Sequence, residues 1–179
     1  MKLSTVFAVS ELRGRRLSRI IDKVLVNTMN KVKMETLLPF IEEAFERGQK
    51  FKIPITGTSM NPLLYEGRDF VFIEKPVLPL EIGDIPLYRR DNGAFVLHRI
   101  VKKDVKGYTL TGDNQFILEE GITDSHIIGV VTSMCIDGKL IDVNDPEYIK
   151  HKEKFVKNIY TRYPIRRFRH WFYGVRHGR

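Results

Sequence analysis

The sequence has little cysteine and no long apolar run, and each shortage excludes a class of protein. Cys135 is the one cysteine in 179 residues, and a single cysteine cannot form an internal disulfide, so nothing indicates an oxidising compartment. No apolar run reaches the roughly 18 residues that span a bilayer. The N-terminus turns to charged residues after a short apolar stretch, which is not typical of a signal peptide. We therefore expect a cytoplasmic protein.

Acidic residues are scarce at both ends of the chain, and the net charge of +8 arises from these two ends. Residues 1–33 carry 8 basic and 2 acidic side chains, and residues 148–179 carry 10 and 1. Residues 34–147 carry 12 basic and 19 acidic side chains, so this part is acidic. Any contact made through basic charge is therefore expected at the ends and not at the central part.

The hydrophobic pattern predicts three regions. Residues 1–50 form a basic segment followed by an amphipathic helix over METLLPFIEEAFERG, residues 51–147 a β-rich domain, and residues 148–179 a basic, amphipathic helical tail broken near Pro164. Within the domain we expect a meander of short strands, with reversals at Asn92-Gly93, Lys106-Gly107 and Asp137-Gly138. The fold class is mainly β with helices at both ends.

The segment GTSMNP is a candidate nucleophile loop. Ser59 lies between Gly57 and Pro62 in a stretch too irregular for a strand or a helix, although turn chemistry alone also explains such a stretch. A serine hydroxyl needs a nearby base and amide donors for the developing oxyanion. The Ser59 amide is a candidate donor, and Gly57 lets a substrate backbone approach closely.

His98 is the candidate base. Alternation along the predicted strand AFVLHRIV places it on one apolar face with Val96 and Ile100. The alternative is a buried histidine satisfied by a backbone carbonyl, whereas a neutral imidazole at pH 7 can accept the serine proton. The other four histidines lack this setting and show no metal-ligand spacing, so we expect no zinc site.

A third residue is needed to orient the imidazole. Asp113 in the turn TGDNQ is the nearest acidic candidate along the predicted strands, and Glu119 and Glu120 are alternatives.

These residues belong to a series of segments: GTSMNPLLYEGRDFVFIEK, IGDIPLY, FVLHRIV, TGDNQ and IIGVV. Their order resembles the signal peptidase and LexA-like serine peptidase superfamily over about residues 53–131. The resemblance implies Ser59 as nucleophile and, since His98 heads HRI, the Ser-His type of the endoplasmic-reticulum and archaeal signal peptidases. It also implies coiled, partly barrel-like sheets and a substrate bound as an extended strand, for which Gly57, Thr58 and Met60 are the candidate contacts.

The sequence departs from that family at several points. Arg68 separates Gly67 from Asp69, Pro86 follows GDI, and the acidic residue expected beyond GDN is Glu119 instead of aspartate. Since no apolar run is long enough for the transmembrane anchor typical of signal peptidases, we expect a role other than standard secretory processing.

The function expected is a serine endopeptidase that acts on a peptide or precursor protein without a cofactor. One alternative is a self-cleaving LexA-like regulator, but the Ala-Gly or Cys-Gly dipeptide cut in such proteins is absent. Another is a non-catalytic binding module. The composition of the basic tail is compatible with peripheral binding to an anionic membrane surface, or with packing on the domain or on a partner. Binding to nucleic acid is the least favoured hypothesis.

Overall fold

The structure, a computed structural model, describes residues 34–159. The basic segment at residues 1–33 and the second predicted tail helix after Pro164 lie outside the described residues. The described part is mainly β, with a strongly curled sheet shaped like half a barrel and a helix at each end, as the sequence predicts.

Helix α1 spans Met34–Glu46 and buries Leu37 and Ile41, which are one turn apart on the same face. Gly48 follows in a left-handed conformation with φ of 65°, as expected for the glycine that ends a helix. At the other end, residues 146–159 form helix α2, which buries Tyr148, Phe155 and Ile159. The predicted amphipathic helices therefore form in the described part of both flanks.

Within residues 34–159, nine strands form two antiparallel sheets: β1 (Phe51–Pro54), β2 (Phe70–Glu74), β3 (Pro86–Arg89), β4 (Phe95–Leu97), β5 (Arg99–Asp104), β6 (Gly107–Thr111), β7 (Glu119–Ile122), β8 (Ile127–Ile136) and β9 (Lys139–Asp142). The first sheet has the order β1-β2-β8-β3-β4, and β9 also pairs with β8. The second has the order β5-β6-β7. Thus the predicted meander is right for the second sheet and wrong for the first, where the long strand β8 inserts between β2 and β3.

The stretch AFVLHRIV was expected to be one strand, and this is wrong. It is two strands, because β4 ends at Leu97 in the first sheet and β5 begins at Arg99 in the second. His98 is the residue at which the chain changes sheets. Burial does not alternate after this point, since His98, Arg99 and Ile100 are all buried. The imidazole is therefore held at a corner between the two sheets.

The main core lies inside the curled sheet and combines α1 with residues from β1, β2, β3 and β8. Met60 and Leu64 belong to this core and anchor the irregular 55–69 loop that carries Ser59. A second core joins the two sheets around Tyr88, Ile100 and Leu110. Both cores end beside His98, so packing on two sides determines where the imidazole can lie.

Candidate active site

A cleft of about 510 Å³ opens beside the corner at His98. Residues from both edge strands of the first sheet, β1 and β4, line it, which shows how far that sheet curls. Most of the residues that line it are apolar and five are polar, a combination that is usual for a ligand site. The polar members are Thr56, Ser59, Arg90, His98 and Gln115.

Ser59 is half-buried in the 55–69 loop, which is irregular as the sequence predicts. The turn at residues 112–115 holds this loop from the side. The Asn114 amide N–H donates to the Ser59 carbonyl oxygen at 2.7 Å, and the Asn114 side-chain amide donates to the Thr58 carbonyl oxygen at 3.2 Å. The nucleophile candidate therefore lies on a loop fixed by two hydrogen bonds from TGDNQ, although more than fifty residues of sequence separate the two segments.

Gly112 brings Ser59 and His98 together. A Cβ atom on Gly112 would lie 3.0 Å from Ser59 Cβ and 3.1 Å from His98 Nε2. The Ser59 side chain and the imidazole nitrogen therefore both border Gly112, with Ser59 Cβ and His98 Nε2 no more than about 6 Å apart. Among residues 34–159 no hydrogen bond joins the Ser59 hydroxyl to Nε2, and in enzymes without substrate this bond is often long and tightens in the complex.

The other imidazole nitrogen faces acidic and phenolic groups. His98 Nδ1 lies 3.0 Å from Glu119 Oε1 and 3.2 Å from the Tyr88 hydroxyl. A carboxylate at this distance is a hydrogen-bond acceptor, so it favours the tautomer with the proton on Nδ1. Nε2, on the side of Ser59, then carries the lone pair that a general base requires.

Arg90 holds Glu119 in place. Its guanidinium donates to both oxygens of the Glu119 carboxylate, Nε to Oε2 at 2.7 Å and a terminal nitrogen to Oε1. Burial alone would raise the pKa of Glu119, but hydrogen bonds from Arg90 and Tyr88 outweigh it and the pKa lies below its ordinary value. Glu119 is therefore a carboxylate at neutral pH, as the tautomer argument requires.

The pKa of His98 lies below its ordinary value. Burial is the main cause, since only 2% of the residue is exposed, while the Glu119 charge acts in the opposite direction. Burial likewise raises the pKa of the Tyr88 hydroxyl, with the Glu119 charge acting in the same sense. At neutral pH the site thus contains a neutral imidazole, a neutral phenol and an ionised glutamate.

Asp113 has a different partner from the one expected. Its two carboxylate oxygens accept from the buried Arg99 guanidinium, Nε to Oδ1 at 2.9 Å and NH2 to Oδ2 at 2.8 Å. The carboxylate at His98 Nδ1 belongs to Glu119, which was an alternative, while Glu120 is exposed on the same strand. The carboxylate beside His98 Nδ1 is therefore that of Glu119, and the carboxylate of Asp113 pairs with Arg99.

The three candidate substrate contacts have different surroundings. Gly57 has a φ of 76° and open space where a side chain would be, so this backbone is accessible and suits glycine. Thr58 is exposed, and its carbonyl oxygen is already engaged by the backbone of Asn61 and the side chain of Asn114. Met60 is buried in the main core and lines the cleft from inside.

Sequence reasoning did not identify Tyr88, Arg90 or Gly112 as site residues. Gly112 had a signal, since a glycine beside an expected catalytic residue often marks a close approach of backbone to another group. Tyr88 and Arg90 had none, because strand β3 meets His98 and Glu119 only through the fold.

Comparison with known proteins identified no relative: no family model, curated protein or solved structure matches the chain. In the part of the chain that the structure describes, neither helix is long and apolar enough to cross a bilayer. Nor do residues 34–159 contain a cluster of three histidine, cysteine or acidic side chains that could hold a metal ion.

Proposed function

We propose that this protein is a serine endopeptidase in which Ser59 is the nucleophile, His98 the general base and Glu119 the residue that orients the imidazole. One observation carries the proposal: the Glu119 carboxylate lies 3.0 Å from Nδ1 of His98, while Nε2 and the Ser59 side chain both border Gly112. This is the polarity that a serine, histidine and carboxylate need for acyl transfer. The ordered segments that resemble the signal peptidase and LexA-like superfamily support the same reading.

The proposed reaction begins when the Ser59 oxygen attacks the scissile carbonyl carbon while His98 Nε2 takes the hydroxyl proton. The imidazolium, stabilised by Glu119, then gives that proton to the leaving amine as the peptide C–N bond breaks. Water, activated by the same nitrogen, hydrolyses the acyl-enzyme and restores the serine. The Ser59 amide is the candidate donor to the oxyanion, and the chemistry requires no cofactor.

The cleft fits a peptide or precursor protein in extended conformation. Edge strands β1 and β4 both line it, and an edge strand offers unpaired backbone groups to a further strand. The apolar lining residues, among them Ile53 of β1 and Leu97 of β4, suit a segment that carries apolar side chains. We place the scissile bond beside Ser59 and His98.

Cleavage of a peptide library, read by mass spectrometry of the products, tests this proposal. The wild-type chain should produce defined cuts, and Ser59→Ala and His98→Ala should each abolish them. Ser133→Ala is a matched control, since Ser133 is a buried serine on the central strand β8 that does not line the cleft, and this substitution should leave the cuts intact. Products from Ser59→Ala equal to those of the wild type would refute the proposal and favour a non-catalytic binding module.

A further inference from the structure

Helix α2 contacts the buried Arg99 with two aromatic side chains, one of which also provides a hydroxyl group. Tyr148 is 6% exposed, and its hydroxyl oxygen accepts a hydrogen bond from Arg99 NH1 at 3.1 Å. The same guanidinium nitrogen donates to the Gly83 carbonyl oxygen at 3.0 Å. Phe155, two turns further along α2, has its ring centre 5.1 Å from the guanidinium carbon. The helix therefore contacts Arg99 through two aromatic side chains.

Arg99 is fully buried, with 0% of the residue exposed, and follows His98 directly in the chain. Its other edge forms the bidentate pair with Asp113. A guanidinium is planar and its donors have fixed directions. Any tilt permitted at NH1 is therefore transmitted to the carboxylate on the opposite edge.

Asp113 belongs to the turn that positions the nucleophile. This turn is closed by the Gln115 amide donating to the Gly112 carbonyl oxygen at 2.8 Å, and Asn114 donates to the Ser59 carbonyl oxygen. Gly112 has no room for even a methyl group between Ser59 and His98. A small displacement of the turn therefore changes the distance between the serine and its base.

We propose that Tyr148 is a positioning residue of the peptidase, which acts through Arg99 and Asp113 to hold the 112–115 turn against Ser59 and His98. The inference rests on the proposed function, since it assigns Tyr148 a role in that reaction. The hydroxyl of Tyr148 fixes the rotation of the guanidinium, because NH1 then has two acceptors in different directions. Without it, Gly83 alone directs that edge.

Tyr148→Phe in the full-length chain tests this role, with Tyr108→Phe as the matched control. Tyr108 is also a buried residue, and its hydroxyl accepts from the Leu80 amide and donates to the exposed Asp124 carboxylate, neither of which belongs to the nucleophile loop. The probe is a fluorophosphonate that forms a covalent bond to an activated serine. We expect Tyr148→Phe to lower the maximal labelling rate about tenfold, since small misplacements of reacting groups are costly. The half-saturating probe concentration should stay unchanged.

Tyr108→Phe should lower the melting temperature and leave both labelling constants at their wild-type values. A double variant, Tyr148→Phe with Asp113→Asn, tests whether the effect of Tyr148 on the turn passes through Asp113. Residues that act through one network have non-additive effects, so the second substitution should add little to the first.

Equal labelling rates for Tyr148→Phe and the wild type would overturn the positioning role and leave the peptidase proposal intact. Equal losses in Tyr148→Phe and Tyr108→Phe would also overturn it, since the effect would then be one of general stability. Multiplied losses in the double variant would refute the path through Asp113. If the wild-type chain is not labelled, the proposed function itself fails.

Discussion

Glu119→Gln removes the negative charge at His98 Nδ1 while it keeps the size of the side chain. The glutamine amide can donate a hydrogen bond to Nδ1, which moves the imidazole proton to Nε2. Nε2 then faces Ser59 with a proton in place of a lone pair and cannot accept from the hydroxyl. Where the equivalent carboxylate of a Ser-His-Asp triad is replaced by its amide, the rate falls about 10⁴-fold.

The geometry here supports an effect of similar size. Glu119 Oε1 lies 3.0 Å from Nδ1, and two opposite charges at that distance attract by about 5 kcal/mol at an effective dielectric constant of 20. That attraction acts on the imidazolium formed in the transition state. Because Arg90 also binds this carboxylate, part of the attraction between Glu119 and the imidazolium is offset. We therefore expect the labelling rate to fall about 10³-fold, or about 4 kcal/mol of activation free energy.

The direction of the pH effect follows from the same contact. Burial lowers the pKa of His98 and the Glu119 charge raises it, so removal of the charge should lower this pKa further. In the wild type, reactivity should be full at neutral pH and fall on the acid side as His98 is protonated. In Glu119→Gln, the residual activity should have its acid limb at lower pH than the wild type.

The assay is the second-order rate constant for fluorophosphonate labelling of Ser59, measured across acid and neutral pH. Glu120→Gln is the matched control, because Glu120 is the next residue on β7 and is exposed. It should react as the wild type does. A wild-type rate and pH profile for Glu119→Gln, or an equal loss for Glu120→Gln, would refute the assignment of Glu119 as the orienting residue.

Three further predictions concern the turn, the buried ion pair and the tail. Gly112→Ala, at a position without a positive φ, should separate the nucleophile from its base and slow labelling about 100-fold, and an unchanged rate would contradict the close approach. Arg99→Met should break the buried Arg99–Asp113 pair, and removal of one member of such a pair costs about 3 to 5 kcal/mol in urea unfolding. Arg47→Met is the control, since it loses only the exposed pair with Glu43 and should cost under about 1 kcal/mol. Equal losses of unfolding free energy in the two variants would contradict a stabilising role of the Arg99–Asp113 pair. Deletion of residues 160–179 should reduce flotation with anionic liposomes, and equal flotation would end the membrane-surface hypothesis.

Some of the fold follows directly from local sequence. The runs FVFIE and IIGVVTSMCI match β2 and β8 residue for residue, because their apolar and β-branched residues need a sheet and turn residues bound them. The sequence does not show that the apolar run AFVLHRIV changes sheets at His98, since that break depends on which partner strands lie on either side.

The sequence predicts less of the candidate site than of the fold. Ser59 and His98 were chosen as candidates by residue type and motif, and in the structure both border Gly112. The orienting carboxylate was left between three residues, because the pairing of β7 with β6 decides which of them reaches Nδ1. Asp113 is nearer to His98 in sequence than Glu119, but the buried charge of Arg99 takes its carboxylate.

Peptide mapping of the covalent adduct tests the central claim most directly. Full-length protein is labelled with the fluorophosphonate at neutral pH, digested and sequenced by tandem mass spectrometry. We predict one phosphonylated residue, Ser59, with labelling lost in His98→Ala although the serine is still present. An adduct on another residue, or labelling of Ser59 that is as fast in His98→Ala as in the wild type, would contradict a nucleophile activated by His98.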